Sequence, residues 1–357
     1  MSAQNGHGAS VVPTRRNLVT LIITTSPTPS APSTDLISDI IDSLKTHCPA
    51  LLSCRVIVVL DGFDRVGECN RLKKGQVTAE GARVVELYKV NVKELVLREF
   101  YPGEGDGQVH LIHGQSLAEY GSPHAAENEI PLFTSQTADG RVTFIEPAGR
   151  LGFGLAVRSA LRMVETPYVW IQQHDWPLVR DIPLGPLLEV MRASEADDSV
   201  PVKYVCLPAI RMLSYAISAH VIRFPMLREL TAKLKRDFTP ASQPGVSVPL
   251  TPLFFWHDKP HIASTAHYLA RIFPSRLAIA RGDFIEDHIG QRARAQMKEG
   301  DWKKWACWLY YPEDGKEVCL RHRHGRKWRG TEAEMGEKAH FLQMKIDKDS
   351  SEMEQSC

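Results

Sequence analysis

The sequence predicts an α/β fold with a mainly parallel sheet flanked by helices, and three observations carry that prediction. Strand-length apolar runs at Leu18–Thr25, Arg55–Leu60 and Tyr168–Gln172 are continuous rather than alternating, the pattern of strands buried in a sheet. A segment with helical apolar spacing, Asp35–Leu44, separates the first two runs, giving a strand, helix, strand unit whose strands lie parallel. The chain has 357 residues, of which 43% are hydrophobic. That is enough for a substantial core.

The first residues, Met1–Ser10, are small and polar, without the basic start and apolar stretch of a secretory signal. Residues 1–14 are therefore expected to be disordered and the protein to be cytoplasmic. The first strand closes at Ser26-Pro27-Thr28-Pro29, a turn-forming breaker, and Ser33 or Thr34 caps the helix that follows. The second strand runs directly into Asp61-Gly62-Phe63-Asp64, which places an acidic loop at the carboxyl end of a parallel strand, where α/β sheets bind ligands.

Residues from about 65 to 140 read as an insertion with a helix near Ala82–Glu99 and a Gly-rich loop at Pro102–Gly107. Regular structure resumes with a strand at Val142–Ile145, a Gly-rich turn at Gly149–Gly154, a helix near Leu155–Val164, and the third long strand. That strand ends in Gln173-His174-Asp175-Trp176-Pro177. Beyond it lie a helix at Leu187–Ala193, a strand at Lys203–Leu207 and a Pro/Ser-rich loop at Pro240–Pro252. A helix then opens after Gly282-Asp283-Phe284-Ile285-Glu286-Asp287-His288 and runs into Lys298. One domain is expected over residues 15–328. The polar tail, 329–357, is expected to be dispensable for folding and disordered over Asp349–Cys357.

Several function classes are disfavoured. Forty-three Lys and Arg against 42 Asp and Glu leave a net charge of +1, too little to draw a nucleic acid or an anionic membrane by overall field. No apolar run reaches the length of a membrane span. Seven cysteines occur with no Cys-x-x-Cys pair, which argues against a zinc ribbon or a disulfide scaffold. His257 and His261 have the spacing of zinc-protease ligands, but Pro260 lies between them and the general-base Glu is missing. His267 completes that histidine group. Trp302, Trp305 and Trp308 recur every three residues, as on one packed helix face. Gly152-Phe153-Gly154 lacks the third glycine of a dinucleotide fingerprint, and Gly-Lys-Ser/Thr is missing from the chain.

The stretch from Gly152 to Trp176 is the most informative. Gly152-Phe153-Gly154-Leu155-Ala156-Val157-Arg158-Ser159-Ala160, then Tyr168-Val169-Trp170-Ile171, then Gln173-His174-Asp175 resembles the inverting nucleotide-sugar glycosyltransferases of the GT-A fold, especially family 2. Two further segments extend the likeness over residues 18–64 and 142–292. Leu60-Asp61-Gly62-Phe63-Asp64 is similar to that family's Asp-Asp-Gly-Ser-x-Asp segment, and Phe284-Ile285-Glu286-Asp287-His288 to its Glu-Asp motif. Gln173 stands where the family's first metal-site aspartate is usual.

The resemblance implies transfer of a sugar from a nucleoside diphosphate sugar to an acceptor hydroxyl, with inversion and with Mn²⁺ or Mg²⁺. It places Thr25, Ser26 and Asp61 on the nucleotide, Asp175 on the metal, and Asp287 with Glu286 at the acceptor, Asp287 as base. Gln173 would meet the sugar or, weakly, the cation. His322 and His324, in the run Leu320–Arg326, lie where some of these enzymes place a late histidine on the metal or a basic residue on the diphosphate, and Arg158 is directed either to the diphosphate or to an ion pair on its helix. The chemistry is coherent, because a hard cation on a carboxylate neutralises the departing diphosphate. Each assignment has a plainer alternative. Asp61 and Asp175 serve equally as turn formers, Glu286 and Asp287 as dipole partners of a helix N-terminus, and His322 and His324 as part of a solvated basic run. A non-catalytic nucleotide-sugar-binding protein and a nucleotidyltransferase are the alternative functions.

Overall fold

A computed structural model of the chain describes residues 18–102, 109–195 and 199–336. The expected disorder at 1–14 and at Asp349–Cys357, and residues 103–107 of the Gly-rich loop, lie outside the described residues. At the centre is β1 (Val19–Thr25), every residue of which is buried. The chain then forms α1 (Asp35–His47) and returns as β2 (Arg55–Leu60), parallel to β1 from Thr20↔Arg55 to Thr25↔Leu60. Helix α1 packs through Leu36, Ile37, Ile40, Ile41 and Leu44. Their helical spacing puts them on one face, and each contributes about 1.5–3 kcal/mol by leaving water.

A two-stranded ribbon, β3 (Arg65–Val66) and β4 (Gln76–Val77), leads into α2 (Ala79–Phe100). Thr78 caps that helix by accepting from the Gly81 amide at 3.0 Å. Next come β5 (Leu111–Glu119), β6 (Glu129–Thr137) and β7 (Val142–Pro147), an antiparallel run whose last strand pairs parallel with β2. Helix α3 (Phe153–Leu161) crosses over to β8 (Tyr168–Gln173), which lies parallel on the other side of β1. Helix α4 (Leu184–Ala193) and the short strands β9 (Tyr204–Cys206), β10 (Arg236–Phe238), β11 (Val248–Pro252), β12 (His261–Ser264) and β13 (Cys307–Tyr310) complete the sheet. The order is β10-β11-β13-β9-β12-β8-β1-β2-β7-β6-β5.

This order overturns the expected mainly parallel sheet. Only β7-β2-β1-β8 and the β9-β13 pair are parallel, and the other six of ten neighbouring pairs are antiparallel. The physical reason is the connections. A helix crossover sets strands parallel in the first unit, whereas β5, β6 and β7 follow one another with no helix between them, as antiparallel neighbours do. Two local readings also change. The Pro/Ser-rich segment Pro240–Pro252 ends in β11. The tryptophans divide between a single helical turn, Trp302–Trp305, and β13, which holds Trp308, because Ala306 turns left-handed at φ 48°. All three indoles are buried.

Among the described residues no helix is long and apolar enough to cross a membrane. Near the end of the described chain, the Thr331 amide and hydroxyl both reach Asp35 Oδ2 at 3.3 Å, so the first part of the tail touches the start of α1.

Candidate functional site

The carboxyl ends of β1, β2 and β8 open onto a cavity of about 400 Å³. Its walls come from the segments that follow those strands, from the turn before α3, and from three later stretches around Asp258, Glu286 and His324. Of the residues singled out in the sequence, Thr25, Ser26, Asp61, Gln173, Asp175, Glu286 and His324 all line it. Arg158 and Asp287 do not. Arg158 is buried on α3 and its Nη1 donates to the Glu119 carbonyl at 2.8 Å, while Asp287 is exposed outside the cavity wall.

Asp61 builds the floor. Its Oδ1 accepts from the amides of Gly62 (2.9 Å) and Leu151 (2.7 Å), and its Oδ2 from that of Gly152 (3.0 Å). Burial raises its pKa against the opposing pull of these amides. Gly152 is the residue the turn requires. It sits at φ +80°, and a Cβ there would stand 2.4 Å from the Gly282 Cα.

His174 is locked by a chain of hydroxyls. Tyr88 OH lies 2.6 Å from Thr25 Oγ1, which lies 2.7 Å from His174 Nδ1. The Ser26 amide also donates to Nδ1, at 3.3 Å. An N–H pointing at Nδ1 requires a lone pair there, so the ring carries its proton on Nε2 and Thr25 donates to it. Burial lowers the His174 pKa and keeps the ring neutral, and it pushes Tyr88 up to about 12.

Asp175 fastens the late basic segment across the cavity mouth. Its Oδ2 accepts from His322 Nε2 at 3.1 Å and from the Gly325 amide at 3.0 Å, and its carbonyl accepts from the Arg323 amide at 2.8 Å. Burial alone would raise this carboxyl, but the His322 hydrogen bond, with the Gly325 amide, holds it at about 2. The His322 ring stacks on Trp176, with centroids 4.2 Å apart and planes within 7°, and meets the His324 ring at 4.1 Å. A Cβ on Gly325 would lie 2.7 Å from His174 Nε2, so a larger residue there requires this segment to shift.

A second acidic group forms the opposite wall. Asp258 and Glu286 cap each other: the Asp258 amide donates to Glu286 Oε2, and the Glu286 amide to Asp258 Oδ2, both at 3.3 Å. His257 Nδ1 lies 3.5 Å from Glu286 Oε2. The pair titrates apart. Burial and then the Glu286 charge push Asp258 well up, whereas for Glu286 the His257 bond and the Lys259 charge outweigh burial and hold the carboxyl at about 2. Gln173 Nε2 donates to the Asp258 carbonyl at 2.7 Å, tying the end of β8 to this wall.

Tyr88, Asp258, Gly325 and the cavity cations Lys73, Arg150, Lys259, Arg326 and Lys327 were not singled out in the sequence. Asp258 was visible only inside the His257–His261 spacing. That spacing does not assemble a zinc site: His257 faces Glu286, His261 Nδ1 donates to the Lys259 carbonyl at 2.7 Å, and His267 Nε2 pairs with the Trp305 carbonyl at 3.1 Å. Among the described residues no group of three or more His, Cys, Asp or Glu is arranged to hold a metal ion.

No protein-family model matches the chain, and no curated protein matches it in sequence. Among solved structures, the chain is similar to the crystal structure of S. aureus TarS, with 10% identity and a TM-score of 0.38 over 85% of this chain. The matched region spans 36% of that chain. A likeness this slight carries no assignment of fold family or activity, so the functional reading rests on the cavity.

Proposed function

We propose that the protein transfers a glycosyl group from a nucleoside diphosphate sugar to an acceptor hydroxyl. The observation that carries this reading is one cavity at the carboxyl ends of parallel strands that is lined both by cations, Arg326, Lys327 and Lys73, and by the carboxyl pair Asp258 and Glu286. A diphosphate suits the cations, and the carboxylates suit a sugar and the hydroxyl that attacks its anomeric carbon.

On this reading Thr25, Ser26 and the Asp61 floor meet the nucleoside, and Gln173 meets the sugar. The base is Glu286, because it lines the cavity and is ionised, while Asp287 is exposed and does not line it. A carboxyl held at about 2 is a weak base, but a hydroxyl attacking an oxocarbenium-like centre gives up its proton only as the new bond forms. Position therefore weighs more than basicity.

Release of nucleoside diphosphate from a panel of sugar donors, with simple glycosides as acceptors, tests the proposal. Glu286→Gln is expected to cut turnover by about 10²–10⁴-fold while leaving nucleoside diphosphate affinity nearly unchanged, whereas Asp287→Asn changes turnover by less than about tenfold. Tight donor binding without turnover in the wild type would favour a non-catalytic nucleotide-sugar-binding protein.

A further inference from the structure

The charged groups of the cavity differ in what already holds them. All four carboxylates have protein donors. Asp61 is held by three amides, Asp175 by His322 and the Gly325 amide, Asp258 by the Glu286 amide at Oδ2 alone, its Oδ1 having no partner among the described residues, and Glu286 by the Asp258 amide, with His257 Nδ1 3.5 Å away. The five cations of the wall, Lys73, Arg150, Lys259, Arg326 and Lys327, are in no ion pair among the described residues. Arg326 lies over the Phe284 ring, at 5.0 Å, and Lys259 over that of Trp176, at 5.8 Å, while Lys259 Nζ also reaches His257 Nδ1 and Arg150 Nη2 the Gly282 carbonyl, both at 3.4 Å.

A site for Mn²⁺ or Mg²⁺ has the reverse signature. Hard cations gather oxygen ligands that are short of donors, and neighbouring positive charge opposes them. Here Asp175 Oδ2 is already taken by His322 and the Gly325 amide, in a cavity lined by Arg326 and Lys327. Gln173, at the position of the missing aspartate, spends its amide on the Asp258 carbonyl. The residues present do not fit a resident divalent ion. What the cavity lacks is an anion.

Resting on the transfer reading above, we infer that the donor's diphosphate is bound directly by Arg326 and Lys327, with Lys73 in the same cavity lining, and without a divalent cation. The segment 322–327 is held over the site by Asp175 through Gly325 and His322, so the aspartate acts by placing these two cations. As the bond between the anomeric carbon and the diphosphate oxygen breaks, the electron pair stays on the leaving diphosphate, and the guanidinium and ammonium groups neutralise it.

Calorimetric titration of uridine and guanosine diphosphate into the full chain, in chelator and in Mn²⁺, separates the possibilities. The dissociation constant is expected to agree within about twofold between the two buffers. It is expected to weaken about tenfold or more in Arg326→Gln/Lys327→Gln. Both residues are exposed, so folding is retained, and Arg326→Lys/Lys327→Arg restores most of the affinity. Binding that requires Mn²⁺ overturns the inference and leaves the transfer reading standing. Equal affinity in Arg326→Gln/Lys327→Gln and wild type also overturns it. If neither diphosphate binds in either buffer, the transfer reading and the inference fall together.

Discussion

Asp61 and Asp175 follow β2 and β8, the two strands that flank β1, yet they hold the cavity together in different ways. Asp61 is satisfied entirely by backbone amides that form the floor. Asp175 takes one amide and one imidazole, both from a segment about 150 residues further along the chain. The donors to the floor are thus backbone groups alone, and those to the clasp include a side chain. Their pKa values move in opposite directions for the same reason. Three amides and the Arg150 charge do not overcome the burial of Asp61, whereas the His322 hydrogen bond does overcome that of Asp175.

Breaking the floor has the largest expected effect. Asp61→Ala leaves three buried amides without an acceptor, at about 1–3 kcal/mol each, so urea unfolding is expected to show a loss of about 3 kcal/mol or more. A loss below about 1 kcal/mol would mean that the floor is held elsewhere.

The clasp is the smaller contributor and carries the pH dependence. Asp175→Asn, which keeps the shape but not the charge, is expected to cost about 1.5–3 kcal/mol at neutral pH. Its folded pKa is depressed from 3.8 to about 2, so its stabilisation is complete above 3.8 and is lost as pH falls toward 2. The raised pKa of Asp61 has the other sign, since protonation in mild acid favours the folded state. Urea midpoints across pH 2–4 are expected to fall more steeply for wild type than for Asp175→Asn, and parallel curves would remove Asp175 from the acid transition. Gly325→Ala is expected to have the smallest effect, about 1 kcal/mol, because the exposed loop moves to relieve the contact with His174. Faster trypsin cleavage after Arg326 or Lys327, with a nearly unchanged unfolding midpoint, is the checkable signature.

The floor and the strands above it were legible in the sequence because β1, β2 and β8 are buried along their length and therefore read as unbroken apolar runs. The residues that end them follow from the rule that parallel strands gather ligands at their carboxyl ends. The antiparallel flanks left no such trace. Strands β9, β10 and β12 have only three or four residues, too few to show a period, and β11 carries Pro249 and Pro252 at positions that read as loop. Most of β5 is exposed on both faces, so it lacks alternation. The same limit hid half of the site. Tyr88 meets Thr25, and Gly325 meets Asp175, only after the sheet has formed. A glycine in a basic run gives no sign of which carboxylate its amide will meet.

The central place of β1 also sets the order in which the sheet is completed during synthesis. Its partner on one side, β2, follows after about 30 residues, but β8 pairs with it across about 150, with Val19 opposite Tyr168. A ribosome adding 5–20 residues per second leaves the second edge of β1 unpaired for on the order of ten seconds after β2 has emerged. Through that interval Leu21, Ile22 and Ile23, none of which is exposed in the finished fold, lie along an open strand edge. This is the stretch of the nascent chain most in need of shielding from other chains.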